Sequence, residues 1–270
     1  MKPELAARFH ALHADGLLLL ANAWDAGSAR LAQAAGAPAV ATSSAAVAWA
    51  HGWPDGDALP VERVLETTRA VVDAVDLPVT VDIEGGYSDD PIRVGDLVSA
   101  VVGAGAVGIN IEDGGGDPAL LCAKIAAARA AASEAGVDLY INARIDTWLR
   151  GLAPAGQRVG ETLARAARYR AAGASGLFAP GVTDDAEIAA LVAGTDMPVN
   201  VLAWTGLPDA ARLQALGVRR LSAGSAISEA MHGHVLAMMR EFVQTGRVDV
   251  DVGAGKAATY GEVQALMARR

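Results

Sequence analysis

The residues most able to do chemistry in this chain fall at the ends of short apolar runs. Asp82 and Glu84 close the run VTVDIEGGY, Glu112 and Asp113 close GINIEDG, and Arg144 closes INARID. Carboxylates brought to one place repel one another unless a cation neutralises them. Oxygen donors with no His or Cys beside them suit Mg²⁺ or Mn²⁺ rather than Zn²⁺. Asp82 and Glu84 are two residues apart, so an extended segment would direct both to one side. That makes Asp82, Glu84 and Glu112 the expected metal-holding set. The planar fork of Arg144 suits a carboxylate or phosphonate. Plainer roles compete. A lone acid after a strand often caps the next helix, which is the preferred expectation for Asp113. Arg144 could equally be spent on an ion pair with Glu112 or Asp146.

These residues need a scaffold that brings separate strand ends together. The chain alternates short β-rich runs with longer amphipathic segments. Strands are expected at 17–21, 38–42, 78–82, 106–111, 138–143, 175–179, 198–202 and 218–222. Helices are expected at 25–35, 61–75, 91–103, 118–135, 158–172, 184–193, 208–215 and 225–245. Continuous apolar runs of this length are what a buried parallel strand requires. Turns such as AGAPAV, AGAVGI and AGASGL end a helix at Gly and start the next strand. Eight such units predict an α/β fold, a (β/α)₈ TIM barrel, with chemistry at the C-terminal strand ends. An open doubly wound sheet is the rival, and the absence of GxGxxG after the first strand removes its dinucleotide-binding form. The whole of 1–270 is expected to form one barrel domain, with an N-terminal helix at 3–13 and a helical tail at 246–270.

Composition agrees. The chain has 270 residues, 52% hydrophobic and 20% charged, which provides for a large core. A net charge of −9 and only 4% aromatic residues argue against a nucleic-acid partner. No segment has the apolar length of a membrane span. The N-terminal segment lacks the apolar stretch of a signal peptide. A single cysteine, Cys122, excludes an internal disulfide and agrees with a cytoplasmic setting. It lies in a helical pattern and is expected to pack rather than react. The small polar stretch Ser43-Ser44-Ala45 follows the second strand and could present N–H groups to an anion. His51 and Tyr87 are the nearest candidates for a proton donor. Trp49, Trp53 and Trp204 could narrow a pocket and exclude water. His232 and His234 are expected at the surface or an interface.

Taken together, ANAWDAGSARL, ATSSAAVAWAHGWPDG, VTVDIEGGY, GINIEDG, INARID and LGVRRLSAG occur in an order that resembles the isocitrate lyase/phosphoenolpyruvate mutase superfamily. The likeness looks closest to its phosphonomutase-like members. It implies a barrel whose last helix is often exchanged between subunits of a homodimer or homotetramer, and it implies Mg²⁺. By motif, Asp82 would bind the metal directly, and Asp55, Glu84 and Glu112 would hold it through water. Ser43, Ser44 and Ala45 would cradle the substrate's carboxylate or oxyanion, and Arg144 would hold its anionic end. Arg144, Asp55 and Glu112 are thus the expected catalytic set. Trp204 joins the serines, Ala45 and Arg144 as expected substrate contacts.

The resemblance implies a lyase that cleaves a C–C bond in a small anionic 2-oxo or 2-hydroxy (di)carboxylic acid through a metal-stabilised enolate. The stretch after Glu112 reads EDGGGDPALLCAK, without the Lys-Cys-Gly-His loop of the isocitrate and methylisocitrate lyases. It also lacks the Lys and Asn of the mutase gating loop. A phosphonomutase or phosphonopyruvate-type hydrolase is the alternative, and a non-catalytic metabolite-binding barrel a second.

Overall fold

A computed structural model describes residues 3–248 and 258–268. The helix α1 (Pro3–Ala11) precedes two short strands, β1 (Leu18–Leu20) and β2 (Asn22–Ala23). Then come α2 (Ala26–Ala34), β3 (Val40–Thr42), α3 (Ser44–Ala50), α4 (Val61–Ala74), β4 (Val79–Asp82), α5 (Pro91–Gly103) and β5 (Gly108–Glu112). The second half runs α6 (Pro118–Glu134), β6 (Tyr140–Arg144), α7 (Arg158–Ala172), β7 (Gly176–Phe178), α8 (Asp185–Gly194), β8 (Val199–Leu202), α9 (Ala210–Ala215) and β9 (Arg220–Ser222). Two helices follow, α10 (Ala226–Thr245) and α11 (Tyr260–Met267).

All strand pairs are parallel, in the order β1-β9-β8-β7-β6-β5-β4-β3-β2. The two ends of that order belong to one stretch of chain. β1 pairs with β9 and β2 with β3, while Ala21 separates them, so residues 18–23 act as one staggered strand that joins both edges. The result is the expected eight-unit barrel, closed because no edge is left to pair.

Local signals explain where helices begin and end. Asp90, Asp117, Asp184 and Asp209 accept N–H groups in the first turns of α5, α6, α8 and α9. Gly173 ends α7 with φ at +113°, a left-handed conformation that costs a glycine little. One expected loop is a helix instead. The chain after Thr42 turns at once into α3, so Ser44 and Ala45 begin a helix rather than a simple turn.

Strand and helix side chains form one apolar layer between the sheet and the outer helices, in which Ile109, Ile111, Ile125, Ile141 and Leu177 are fully buried. Each such side chain contributes about 1.5–3 kcal/mol. The barrel interior is different. Barrels of this kind usually fill it with branched aliphatics, yet here Arg220 donates to Ser222 Oγ (3.1 Å) and Asn110 Oδ1 (3.2 Å). Asn142 donates to the same Asn110 oxygen at 2.9 Å, and Ser222 reaches Asn200 at 3.2 Å. Arg220 is fully buried, and burial pushes its pKa down to about 10. The opposite mouth is plugged by α1. Phe9 meets Tyr140 edge-on, and His13 stacks on the same ring at 3.9 Å.

Candidate active site at the C-terminal mouth

β4, β5 and β6 end side by side. Asp82 is in register with Asn110, Asn110 with Asn142, and Glu112 with Arg144. Asp82 and Arg144 line a cavity of about 180 Å³ together with Asp55, Ser43, Ser44 and Ala45. Sequence motifs far apart in the chain, from the second, third and fifth βα units, therefore meet at one recess.

Asp82 Oδ1 accepts the Glu84 N–H at 3.1 Å, and the Asp82 N–H donates to Thr42 Oγ1 at 2.9 Å. Burial pushes the Asp82 pKa up, while Arg144 and the backbone N–H groups of Glu84 and Ser44 pull it down and Asp55 pushes it further up. Ser44 is the first residue of α3, and Ser43 at its cap makes no side-chain cap bond. The open end of α3 therefore faces the acid at the end of β4.

Glu84 departs from the extended geometry expected of it. β4 stops at Asp82, and Glu84 lies in the left-handed region with φ at +51°. The chain has turned, so Asp82 and Glu84 do not share a side by strand alternation. Glu84 is buried. Its Oε2 accepts N–H groups from Gly56, at 2.9 Å, and from Asp57, and its Oε1 accepts the Tyr87 hydroxyl at 2.8 Å. It lines a second recess of about 270 Å³ with Asp57, Glu112 and Lys124.

Arg144 is shared between two acids. Its Nη1 meets Glu112 Oε2 at 2.6 Å, and its Nε and Nη2 meet the two oxygens of Asp146 at 2.7 and 3.0 Å. Burial pushes Glu112 up to about 8, outweighing the guanidinium that pulls it down, with Asp82 and Asp146 pushing it further up. Burial disfavours the Arg144 charge, but Glu112 and Asp146 outweigh it and hold that pKa above its ordinary value.

Asp113 is not a helix cap. Asp117 fills that role, and Asp113 turns inward to accept from Arg165 (2.9 Å) and the Tyr169 hydroxyl (2.8 Å). His51 is engaged with Thr67 Oγ1 at 2.9 Å, and Tyr87 is fastened to Glu84, so neither stands free as a proton donor. Trp204 borders the cavity and is 55% exposed; Trp53 is exposed, and Trp49 faces His232 at 6.0 Å. Cys122 lies in α6, packed partly against the core.

Asp57 escapes the sequence reading. Its N–H serves Glu84, and its Oδ1 accepts the Tyr87 N–H at 3.2 Å, so it ties the loop after α3 to the turn after β4. Asp-Gly-Asp at 55–57, behind Pro54, is a turn signal that marks it. The interior polar set around Arg220 also escapes, although Asn110, Asn142 and Asn200 each interrupt an apolar run.

The donor set suits a hard divalent cation. Among the described residues no ion pair engages Asp82, Glu84, Asp55 or Asp57. Excess negative charge at a partly dry mouth calls for a counter-ion. No group of three or more His, Cys, Asp and Glu side chains gathers at ligating distance among the described residues. One or two carboxylates at such a site would leave most positions around a cation to water.

A closed parallel barrel with acids and a guanidinium gathered at the C-terminal strand ends is an enzyme architecture. The chain belongs to the phosphoenolpyruvate phosphomutase family, whose sequence model matches residues 9–243. An uncharacterized protein of Mycobacterium tuberculosis H37Rv is 40% identical over 227 residues, which cover 80% of this chain and 81% of that one. An oxaloacetate decarboxylase of Bradyrhizobium diazoefficiens is 30% identical over 233 residues, 83% of this chain and 76% of that one. A crystal structure from Burkholderia cenocepacia J2315, provisionally described as a phosphonomutase, is 43% identical, with a TM-score of 0.83 over 88% of this chain and 99% of that one. Among the described residues no helix is long and apolar enough to cross a membrane.

Proposed function

We propose that this protein is a lyase that cleaves a C–C bond in a small 2-oxo or 2-hydroxy acid with the help of Mg²⁺ or Mn²⁺. One observation carries the reading: Asp82, a carboxylate with no ion-pair partner among the described residues, shares a small cavity with Arg144 at the strand ends. The relative named oxaloacetate decarboxylase supports it.

Asp82 would hold the metal directly, and Asp55, Glu84 and Glu112 would do so through water. The metal, when bound, supplies a fixed double positive charge against which negative charge can develop. Arg144 keeps N–H groups beyond those spent on Glu112 and Asp146, and these would orient the substrate's anionic head. The N–H groups at the start of α3, around Ser44 and Ala45, would face developing charge on the substrate oxygen. Ser43 would line the same side. Trp204 would shield the mouth from water.

Asp82→Ala tests the reading by calorimetric titration with Mg²⁺. The expected result is loss of measurable affinity; unchanged affinity would defeat the assignment. A second reading, C–P chemistry, is favoured by the family's own description and by the Burkholderia structure. ³¹P NMR with phosphonopyruvate separates the two, because a C–C lyase leaves that spectrum unaltered.

A cytoplasmic homodimer or homotetramer is part of the proposal. α10 buries only Ser228 and exposes Leu236, Met239, Phe242 and Val243, the kind of face that an exchanged helix would cover in a second copy. A single barrel domain over 1–270 is also proposed. Residues 249–257 and 269–270 of the expected tail lie outside the described residues.

A further inference from the structure

We propose that the substrate carries an uncharged, apolar group at the end remote from its 2-oxo acid head, and that Leu149, Phe178, Leu202 and Trp204 receive it. The inference rests on the metal-dependent reading for the head and adds the class of the tail.

The cavity has two unlike sides. Asp82, Asn110 and the start of α3 form a polar side. Opposite them stand Phe178 at the end of β7, Leu202 at the end of β8, and Leu149, Pro180 and Trp204 from the loops above. Leu149 and Trp204 are 39% and 55% exposed, so two large apolar side chains remain without cover at the opening. Exposed apolar surface converging on a recess gains most from an apolar ligand.

Charge points the same way. Arg144 is the one basic side chain among the described residues lining the cavity, and it already serves Glu112 and Asp146. Asp55 and Asp82 line the same space. Arg220 lies beneath the floor, fully buried and turned to Asn110 and Ser222. One metal and the remaining Arg144 donors can satisfy one carboxylate. A second carboxylate would find no further basic side chain among the described residues lining the cavity, which costs affinity.

The cavity also continues outward. A groove of about 590 Å³ shares Leu202, Trp204 and Ser225 with it and follows the start of α10. Among the described residues Glu229 is the only charged side chain lining that groove, and it accepts the Ser225 hydroxyl at 2.6 Å. A tail leaving the cavity this way meets aliphatic and indole surface and then an acid, which repels an anionic tail and tolerates a neutral one.

Stable oxamates test this directly, since they share the 2-oxo carboxylate head and differ only in the tail. With Mg²⁺ present, calorimetry on the full chain compares oxalate, N-isobutyloxamate and N-oxalylglycine. N-isobutyloxamate should bind at least about tenfold more tightly than N-oxalylglycine, the scale on which apolar pockets discriminate. Trp204→Ala should narrow that ratio several-fold, and Trp204→Phe should restore most of it. Equal or tighter binding of N-oxalylglycine overturns the inference while oxalate binding upholds the head reading. Failure of oxalate itself to bind overturns both.

Discussion

Glu112 and Arg144 stand directly opposite each other across the β5–β6 ladder, and the guanidinium reaches the carboxylate at 2.6 Å. Asp146 closes the other side of Arg144 and is itself fully buried. The arrangement makes Arg144 a hub between two acids that has donors left for a ligand, while Asp82 has no ion-pair partner among the described residues. Mouth chemistry and mouth stability thus depend on the same few charges.

Glu112 should make the metal-free protein less stable as pH rises. Its pKa stands near 8 in the fold against 4.5 unfolded, because burial disfavours the anion. The fold therefore binds this proton more strongly than the unfolded chain does. The resulting stability is complete below pH 4.5 and is lost as pH rises through about 8. Scanning calorimetry with chelator, from pH 5 to 9, should show a Tm decline that Glu112→Gln reduces. A Tm profile identical in the variant would contradict this.

Removing the hub should damage the fold as well as binding. Arg144→Ala leaves the buried Asp146 with Arg150, at 3.3 Å, as its one basic partner among the described residues. Breaking a buried pair in this way costs about 3–5 kcal/mol, and the remaining contact places the expected loss near the lower bound. Urea unfolding measures it. The double variant Arg144→Ala/Asp146→Ala should lose less than the two single losses added together, because Asp146 is then no longer left behind as a buried charge.

At the opposite mouth, His13 should make the protein acid-sensitive. Burial, with Arg220 adding to it, pushes its pKa from 6.5 down to about 3, so it is neutral against Tyr140. This stability is present above pH 6.5 and is lost as pH falls through about 3. The stability difference between the natural protein and His13→Phe should shift in the variant's favour as the pH drops from 7 to 4, as followed by chemical denaturation at each pH. A constant difference would show that His13 stays neutral without cost.

Gly108 marks how tightly α1 seals that end. A Cβ there would lie 2.8 Å from both Phe9 Cε1 and Thr80 Oγ1. Gly108→Ala should therefore cost about 1–3 kcal/mol through overpacking. Pairing it with Phe9→Leu should recover part of the loss in the same unfolding assay.

Much of this was open to a reading of the chain alone. Strand and helix periods located every barrel unit to within a few residues, since a buried parallel strand needs an unbroken apolar run and a surface helix an apolar stripe. Placing Asp82, Glu112 and Arg144 at one mouth followed from their position at strand ends. Those are local properties, written in neighbouring residues.

The tertiary structure decided the rest. It turned Glu84 out of extension and fastened it with N–H groups from Gly56 and Asp57, 28 and 27 residues away. It sent Asp113 to Arg165 and Tyr169 instead of a helix end, and set Arg220 on Asn110 across the barrel, 110 residues distant. It also divided the mouth into a polar side and an apolar side. Periodicity records which face a side chain takes; which partner satisfies a buried charge depends on closure of the whole sheet, and no local pattern carries that information.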